Sequence, residues 1–261
     1  MIRHFLVLVS FFLATPAMAL DWTSSSAVTQ LYFEAQLEGT FVLYDVSSAR
    51  FTGHSASRAN TRYIPASTFK IPNSLIGLAV GSVKDVDEVL SYGGKPQPFP
   101  QWERDMSLRD AIAISNVPIY QNLARRTGLK NMAAHVEEMR YGNANIGETV
   151  DRFWLDGPLR ISAVEQALFL ARLAQDQLPY STEQQKATRD IVLLESNERY
   201  RLYGKTGWVG APGPGVGWWI GWVEAEQGIY TFAMNIDVRN NGDADKRIPL
   251  GKASLKALGV L

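Results

Sequence analysis

The chain has 261 residues, 46% of them hydrophobic and 20% charged, which is the make-up of a globular protein with a full core and excludes a disordered chain. Lysine plus arginine and aspartate plus glutamate number 26 each; without a basic excess or a basic block, nucleic acid is disfavoured as a partner. Cysteine is absent, which removes a disulfide framework, a thiol nucleophile and a thiolate metal site.

In chain order, residues 1–19 have the form of an export signal: Arg3 and His4 make a short polar start, Phe5 to Ala14 an apolar core, and Ala17-Met18-Ala19 a small-x-small cleavage site. Cleavage is expected after Ala19, giving a periplasmic protein without a stable membrane anchor; an uncleaved anchor is the competing reading. Ser24 to Glu38 is predicted as a helix, stopped by Gly39, and Thr40 to Val46 with Arg50 to His54 as a β-hairpin. From about 61 to 194 the pattern is helical and loopy, with helices predicted at Thr68–Val80, Ser107–Ser115, Pro118–Thr127, Lys130–Met139 and Ser162–Ala174. Strands return at Tyr200–Tyr203, Val216–Glu224 and Gly228–Asp237, and Lys246 to Leu258 closes the chain as a helix. The fold class is therefore α+β. An antiparallel sheet from about 20–60 and 195–261 is flanked by terminal helices and carries a helical insertion at about 61–194.

The chemistry-bearing residues start at Ser67-Thr68-Phe69-Lys70. A hydroxyl and an amine three residues apart share one face of a helix, and a desolvated lysine can lose its charge and act as base to a serine. The competing reading is a serine cap before a surface lysine. Ser115-Asn116-Val117 offers a second hydroxyl at a helix junction, or merely a cap before Pro118. Lys205-Thr206-Gly207 places a cation and a hydroxyl on a strand edge, suited to a carboxylate, with glycine leaving room for close approach. Gly204-Lys205-Thr206 mimics the end of a phosphate loop, but Arg199 stands where the first glycine is required. Tyr141-Gly142-Asn143 precedes a loop reaching Phe153-Trp154-Leu155; Trp154 could wall a pocket for a modified lysine, or be a core residue. His4, His54 and His135 lie far apart with no His-x-x-x-His spacing, which disfavours a histidine metal site.

Taken together and in this order, the motifs Ser67-Thr68-Phe69-Lys70, Ser115-Asn116-Val117, Tyr141-Gly142-Asn143, Trp154 and Lys205-Thr206-Gly207 resemble the class D, oxacillinase-type serine β-lactamases. Class A enzymes have Ser-Asp-Asn where this chain has Ser-Asn-Val. Gly217 to Trp222 and Phe232 to Asp237 look like the family's paired central strands, so the resemblance covers nearly the whole mature chain.

The resemblance implies a penicillin-recognising fold and hydrolysis of β-lactam antibiotics through a serine acyl-enzyme, conferring resistance. It implies Ser67 as nucleophile and Lys70 as a lysine carboxylated by carbon dioxide or bicarbonate and serving as general base. No other cofactor and no metal are implied. Trp154 would hydrogen-bond the carbamate, with Phe69, Val117 and Leu155 as apolar surroundings. Ser115 would relay a proton to the leaving nitrogen beside Lys205, and the backbone N–H groups of Ser67 and Trp208 would form an oxyanion hole. Thr206 and Arg247 would hold the substrate carboxylate beside Gly207, the Arg247 assignment resting on spacing from the C-terminal helix. If Arg247 is instead a surface charge at a helix start, Lys205 and Thr206 hold the carboxylate alone. The protein is expected as a monomer or homodimer. A β-lactam sensor acylated without turnover, and a cell-wall transpeptidase or carboxypeptidase, share parts of the pattern.

Overall fold

The computed structural model describes residues 21–210 and 213–261. The expected signal and its cleavage site lie outside them, as do residues 211–212 of the glycine- and proline-rich loop. Among the described residues no helix is long and apolar enough to cross a membrane.

In chain order the elements are β1 (Trp22–Ser24), α1 (Ser26–Ala35), β2 (Gly39–Asp45), β3 (Arg50–His54) and α2 (Ala56–Asn60). A 3-10 turn at Ala66–Phe69 runs into α3 (Lys70–Ala79); after a second such turn at Pro100–Trp102 come α4 (Leu108–Ala113), α5 (Val117–Thr127), α6 (Leu129–Glu138), α7 (Ala163–Ala174) and α8 (Thr182–Asp190). The chain closes with β4 (Leu193–Ser196), β5 (Tyr200–Val209), β6 (Gly215–Ala225), β7 (Gly228–Val238), α9 (Asn241–Asp245) and α10 (Arg247–Ala257). The seven strands form one sheet in the order β1-β3-β2-β7-β6-β5-β4. Every pair is antiparallel except β1 with β3, which run parallel. The sheet is antiparallel as expected apart from this short edge pair, in which β1 is joined to β3 through α1 and β2, a connection long enough for parallel pairing.

β6 shows how this sheet separates two cores. Side chains alternate across a strand, so Trp218, Ile220 and Trp222 enter one core and Trp219 and Val223 the other. The first core holds the helical insertion; the second is closed by α1 and α10, with Val28, Tyr32, Leu250 and Leu255 fully or almost fully buried. Gly251 lets α10 lie directly on the indole, since a Cβ there would fall 2.2 Å from Trp219.

Several expected boundaries move for local reasons. Gly39 does not stop α1: Gln36 takes the left-handed conformation (φ 54°), its N–H bonds back into the last turn, and Gly39 opens β2. Asn116, not Ser115, caps α5 by accepting the N–H of Ile119. Ser107 caps α4 through the N–H of Asp110, whose carboxylate returns to the Ser107 hydroxyl (3.2 Å) rather than to its backbone N–H; Ser162 and Glu165 form the complete box on α7. The polar helix α8 lacks an apolar stripe and is fixed by its own box, Ser181 with Gln184.

Tyr141-Gly142-Asn143 is a clamp on the loop that follows. Asn143 bonds Arg160 through both backbone and side chain and donates to the Pro158 carbonyl. Gly142, at φ 59°, lies so close to this return strand that a Cβ would stand 2.0 Å from the Arg160 oxygen. Gly142→Ala is therefore expected to lower unfolding free energy by at least about 2 kcal/mol, from left-handed strain plus the clash, measured by urea titration; an unchanged midpoint would refute the clamp.

Candidate active site

The turn Ala66–Phe69 delivers the nucleophile candidate. Ala66 is left-handed at φ 51°, an uncommon state for a residue with a Cβ. Thr68 holds the turn by donating both its N–H (3.2 Å) and its hydroxyl (2.7 Å) to the Pro65 carbonyl. One turn on, Lys70 Nζ lies 2.8 Å from Ser67 Oγ, so the i, i+3 spacing closes into a hydrogen bond.

Lys70 is fully buried. Desolvation, and secondarily the charge of Lys205, holds its pKa well below that of an ordinary lysine. No carboxylate is paired with it among the described ion pairs; its neighbour is the face of Tyr120, 5.3 Å from Nζ to ring centre. The Tyr120 hydroxyl is itself paired with Ser74, whose oxygen reaches the Lys70 carbonyl at 2.9 Å. Behind the turn, Phe69 stacks on Trp154 (5.4 Å) and meets Phe153 and Tyr141 edge-on at 4.8 and 5.6 Å. Trp154 is fully buried, and among the described residues its Nε1 has no hydrogen-bond partner. An indole N–H without a partner in an apolar interior is costly.

The second serine arrives on the α4–α5 connection. Ser115 stands at φ 56°, and its Oγ accepts a hydrogen bond from Lys205 Nζ. The connection is held from outside by Trp102: its indole donates to the Ile114 carbonyl (3.1 Å), and its own carbonyl accepts from Asn116 (3.3 Å). Lys205 projects from β5 and also reaches the Thr206 carbonyl at 3.0 Å. Burial, then repulsion from Arg247, pulls the Lys205 pKa down to about 7.

β5 fits against the Ser67 turn because Gly207 has no side chain; a Cβ would fall 2.9 Å from the Pro65 oxygen and 3.0 Å from Thr68. Arg247 begins α10, yet it is not a surface charge: its Nη1 donates to the Gly207 carbonyl at 2.6 Å and the residue lines the same cavity as Ser67. That cavity, about 350 Å³, is bounded by Ser67, Ser115, Val117, Leu155, Thr206, Gly207, Trp208 and Arg247. Lys70 and Lys205 lie one hydrogen bond behind it, on Ser67 and Ser115, and Trp154 lies behind Phe69. Sequence reasoning missed Phe99, Gln101, Trp102, Ala113 and Ile114 on its wall and Tyr120 beneath it. Phe99 and Trp102 sit before and in a single 3-10 turn, too short for a periodicity to give them away.

The arrangement pairs each hydroxyl with an amine of depressed pKa and faces both with a cation, as nucleophilic attack on a substrate bearing a carboxylate requires.

Residues 39–256 match the family described as the penicillin-binding protein transpeptidase domain. The chain is 40% identical over 263 residues to β-lactamase OXA-5 of Pseudomonas aeruginosa, covering 100% of this chain and 98% of the relative. It is 37% identical over 249 residues to β-lactamase OXA-48 of Klebsiella pneumoniae, covering 95% and 94%. Among solved structures, a class D β-lactamase, YbXI, from Nostoc superposes with a TM-score of 0.87 at 39% identity, over 90% of this chain and 99% of that one. FUS-1 (OXA-85), a class D β-lactamase from Fusobacterium nucleatum subsp. polymorphum, superposes at 0.88 and 39% identity, over 92% and 100%.

The buried amines have a consequence for stability. Below about pH 7 Lys205 is charged whether folded or unfolded; between about 7 and its ordinary value of 10.5 only the unfolded chain keeps the proton. Stability therefore rises with pH across that window, since there the unfolded state binds more protons. Urea unfolding in buffer free of carbon dioxide is expected to show this rise from pH 7 to 9. Lys205→Met should reduce the slope and leave the share that Lys70 contributes, and an equal slope in both proteins would contradict the assignment.

Proposed function

The chain belongs to the class D serine β-lactamases, and from that premise we propose that it opens the lactam ring of penicillins and related antibiotics and so confers resistance to them. The observation that carries the reading is the fully buried Lys70 amine at 2.8 Å from Ser67 Oγ, with its pKa depressed by desolvation.

Ser67 Oγ attacks the lactam carbonyl carbon while Lys70 takes its proton; the developing oxyanion is met by the backbone N–H groups of Ser67 and Trp208. The carbon–nitrogen bond then breaks, and the nitrogen takes a proton from Ser115, which is replaced by the proton Lys70 took from Ser67, so that both groups are neutral again. Lys205 donates a hydrogen bond to Ser115 Oγ and holds that oxygen while the proton passes. Thr206 and Arg247 hold the substrate carboxylate; Val117 and Leu155 shield the ester. Water, giving a proton to Lys70, attacks the ester carbonyl carbon; the bond from that carbon to Ser67 Oγ breaks, and the Lys70 proton returns to Ser67 Oγ.

A carboxyl group on Lys70 fits these surroundings. Only a neutral amine adds carbon dioxide, and burial favours the neutral form; the unpartnered Nε1 of Trp154 is a donor available to a carbamate oxygen. When present, that group supplies the general base for acylation and deacylation. The leader-like residues 1–19 support a periplasmic location.

The ultraviolet time course of benzylpenicillin with mature protein tests the reading. Sustained turnover that rises with bicarbonate is expected, and Lys70→Ala should lower it by about 100- to 10,000-fold, the usual share of a general base. One stoichiometric step ending in a stable acyl-protein would overturn the hydrolase reading in favour of a sensor.

A further inference from the structure

Gln166 has no part in the chemistry above, yet it is fully buried on the core-facing stripe of α7, between Ala163 and Leu170. A polar residue on such a stripe must satisfy both ends of its amide. Its Oε1 accepts from the Tyr141 hydroxyl at 3.2 Å, and its Nε2 donates to Thr68 Oγ1 at 2.9 Å.

The direction of this chain follows from chemistry. The Pro65 carbonyl can only accept, so the Thr68 hydroxyl hydrogen is committed to it. Thr68 Oγ1 must then accept from Gln166, which turns Nε2 toward Thr68 and leaves Oε1 for the Tyr141 hydroxyl. The Tyr141 hydroxyl also lies within reach of the Thr68 side chain, so the three groups form one closed cluster; Tyr141, Gln166 and Thr68 are all fully buried, where a lost partner is not replaced by water.

The two ends of the chain are the two halves of the site. One is the Pro65–Thr68 turn, with left-handed Ala66, that presents Ser67. The other is Tyr141, edge-on to Phe69 and the first residue of the clamp that returns Trp154 to the site. We propose that Gln166 is a positioning residue, setting the acylation geometry of Ser67 by holding the Thr68 hydroxyl on the Pro65 carbonyl and tying that turn to Tyr141. The proposal rests on Ser67 being the nucleophile of the proposed function.

A double-mutant cycle on the acylation step tests it, following the first turnover with excess benzylpenicillin at saturating bicarbonate by stopped flow. Gln166→Met and Thr68→Val are each expected to slow acylation by about 10- to 100-fold, the scale of a misplaced nucleophile. The double variant should be little slower than the worse single one, because both cut one chain. Thr68→Ser keeps the hydroxyl and should restore most of the rate. Circular dichroism and melting temperature identify the folded fraction to which rates are normalised; a packing role alone would lower the melting temperature and leave the normalised rate unchanged. Folded Gln166→Met acylating at the wild-type rate, or losses that multiply, would overturn the proposal. Should Gln166→Met fail to fold, equal rates for Thr68→Val and Thr68→Ser would overturn it. Absence of acylation in the wild type would instead sink the β-lactamase reading itself.

Discussion

The site depends on one contact, the hydrogen bond between a fully buried lysine amine and Ser67. A charged amine without a carboxylate in this interior would cost several kcal/mol, so burial itself drives Lys70 toward the neutral form. The surroundings fit that purpose. Phe69, Phe153, Trp154 and Tyr141 pack as one aromatic cluster, and the Tyr120 face, rather than an anion, meets Nζ. A carboxylate in place of Tyr120 would hold the proton on the amine and abolish the base.

Strain is concentrated where the two hydroxyls are presented. Ala66 and Ser115 both take left-handed backbone without being glycine, at about 1–3 kcal/mol each. Each is held by a neighbour in its own turn that is tied to a distant segment: Ala66 by Thr68 and, through it, Gln166, and Ser115 by Asn116 with Trp102. At the α4–α5 junction Asn116 caps α5, which leaves Ser115 Oγ free to meet Lys205.

Residues with strict periodicity were legible in the sequence; those fixed by tertiary contact were not. The continuous β-rich apolar run from Trp218 to Val223 and the apolar spacing of α7 announced their elements, and the Ser67–Lys70 interval announced a shared helical face. The fold class and the grouping of sheet at both ends with helices between follow from the same signals. β1, α2, α8, β4 and α9 are short, polar or exposed in pattern, and gain their form from caps and neighbours. The end of α1 was misjudged because glycine is the usual left-handed stop, whereas here Gln36 adopts that state. In the site, motif residues could be named, but Trp102, Tyr120 and Gln166 could not, since each acts by closing a contact between segments distant in sequence.

Such contacts explain why the site lies where the sheet meets the helical insertion. Gly207 admits the Pro65 carbonyl, Trp218 donates to the Ile64 carbonyl at 2.9 Å, Lys205 reaches Ser115, and Arg247 reaches back to Gly207. Each joins a terminal strand or helix either to the insertion or to the strand that faces it. The reactive geometry is therefore a property of the docking of two regions rather than of any one motif, which is why Ser-x-x-Lys alone says so little. The outer rim is built differently. Phe99, on a loop, and the Trp208 side chain, on β5 just past Gly207, are 44% and 40% exposed, and neither side chain makes one of these docking contacts. Changes there can reshape what enters the cavity while leaving the Ser67–Lys70 pair undisturbed, so substrate range and catalytic chemistry are separable in this fold.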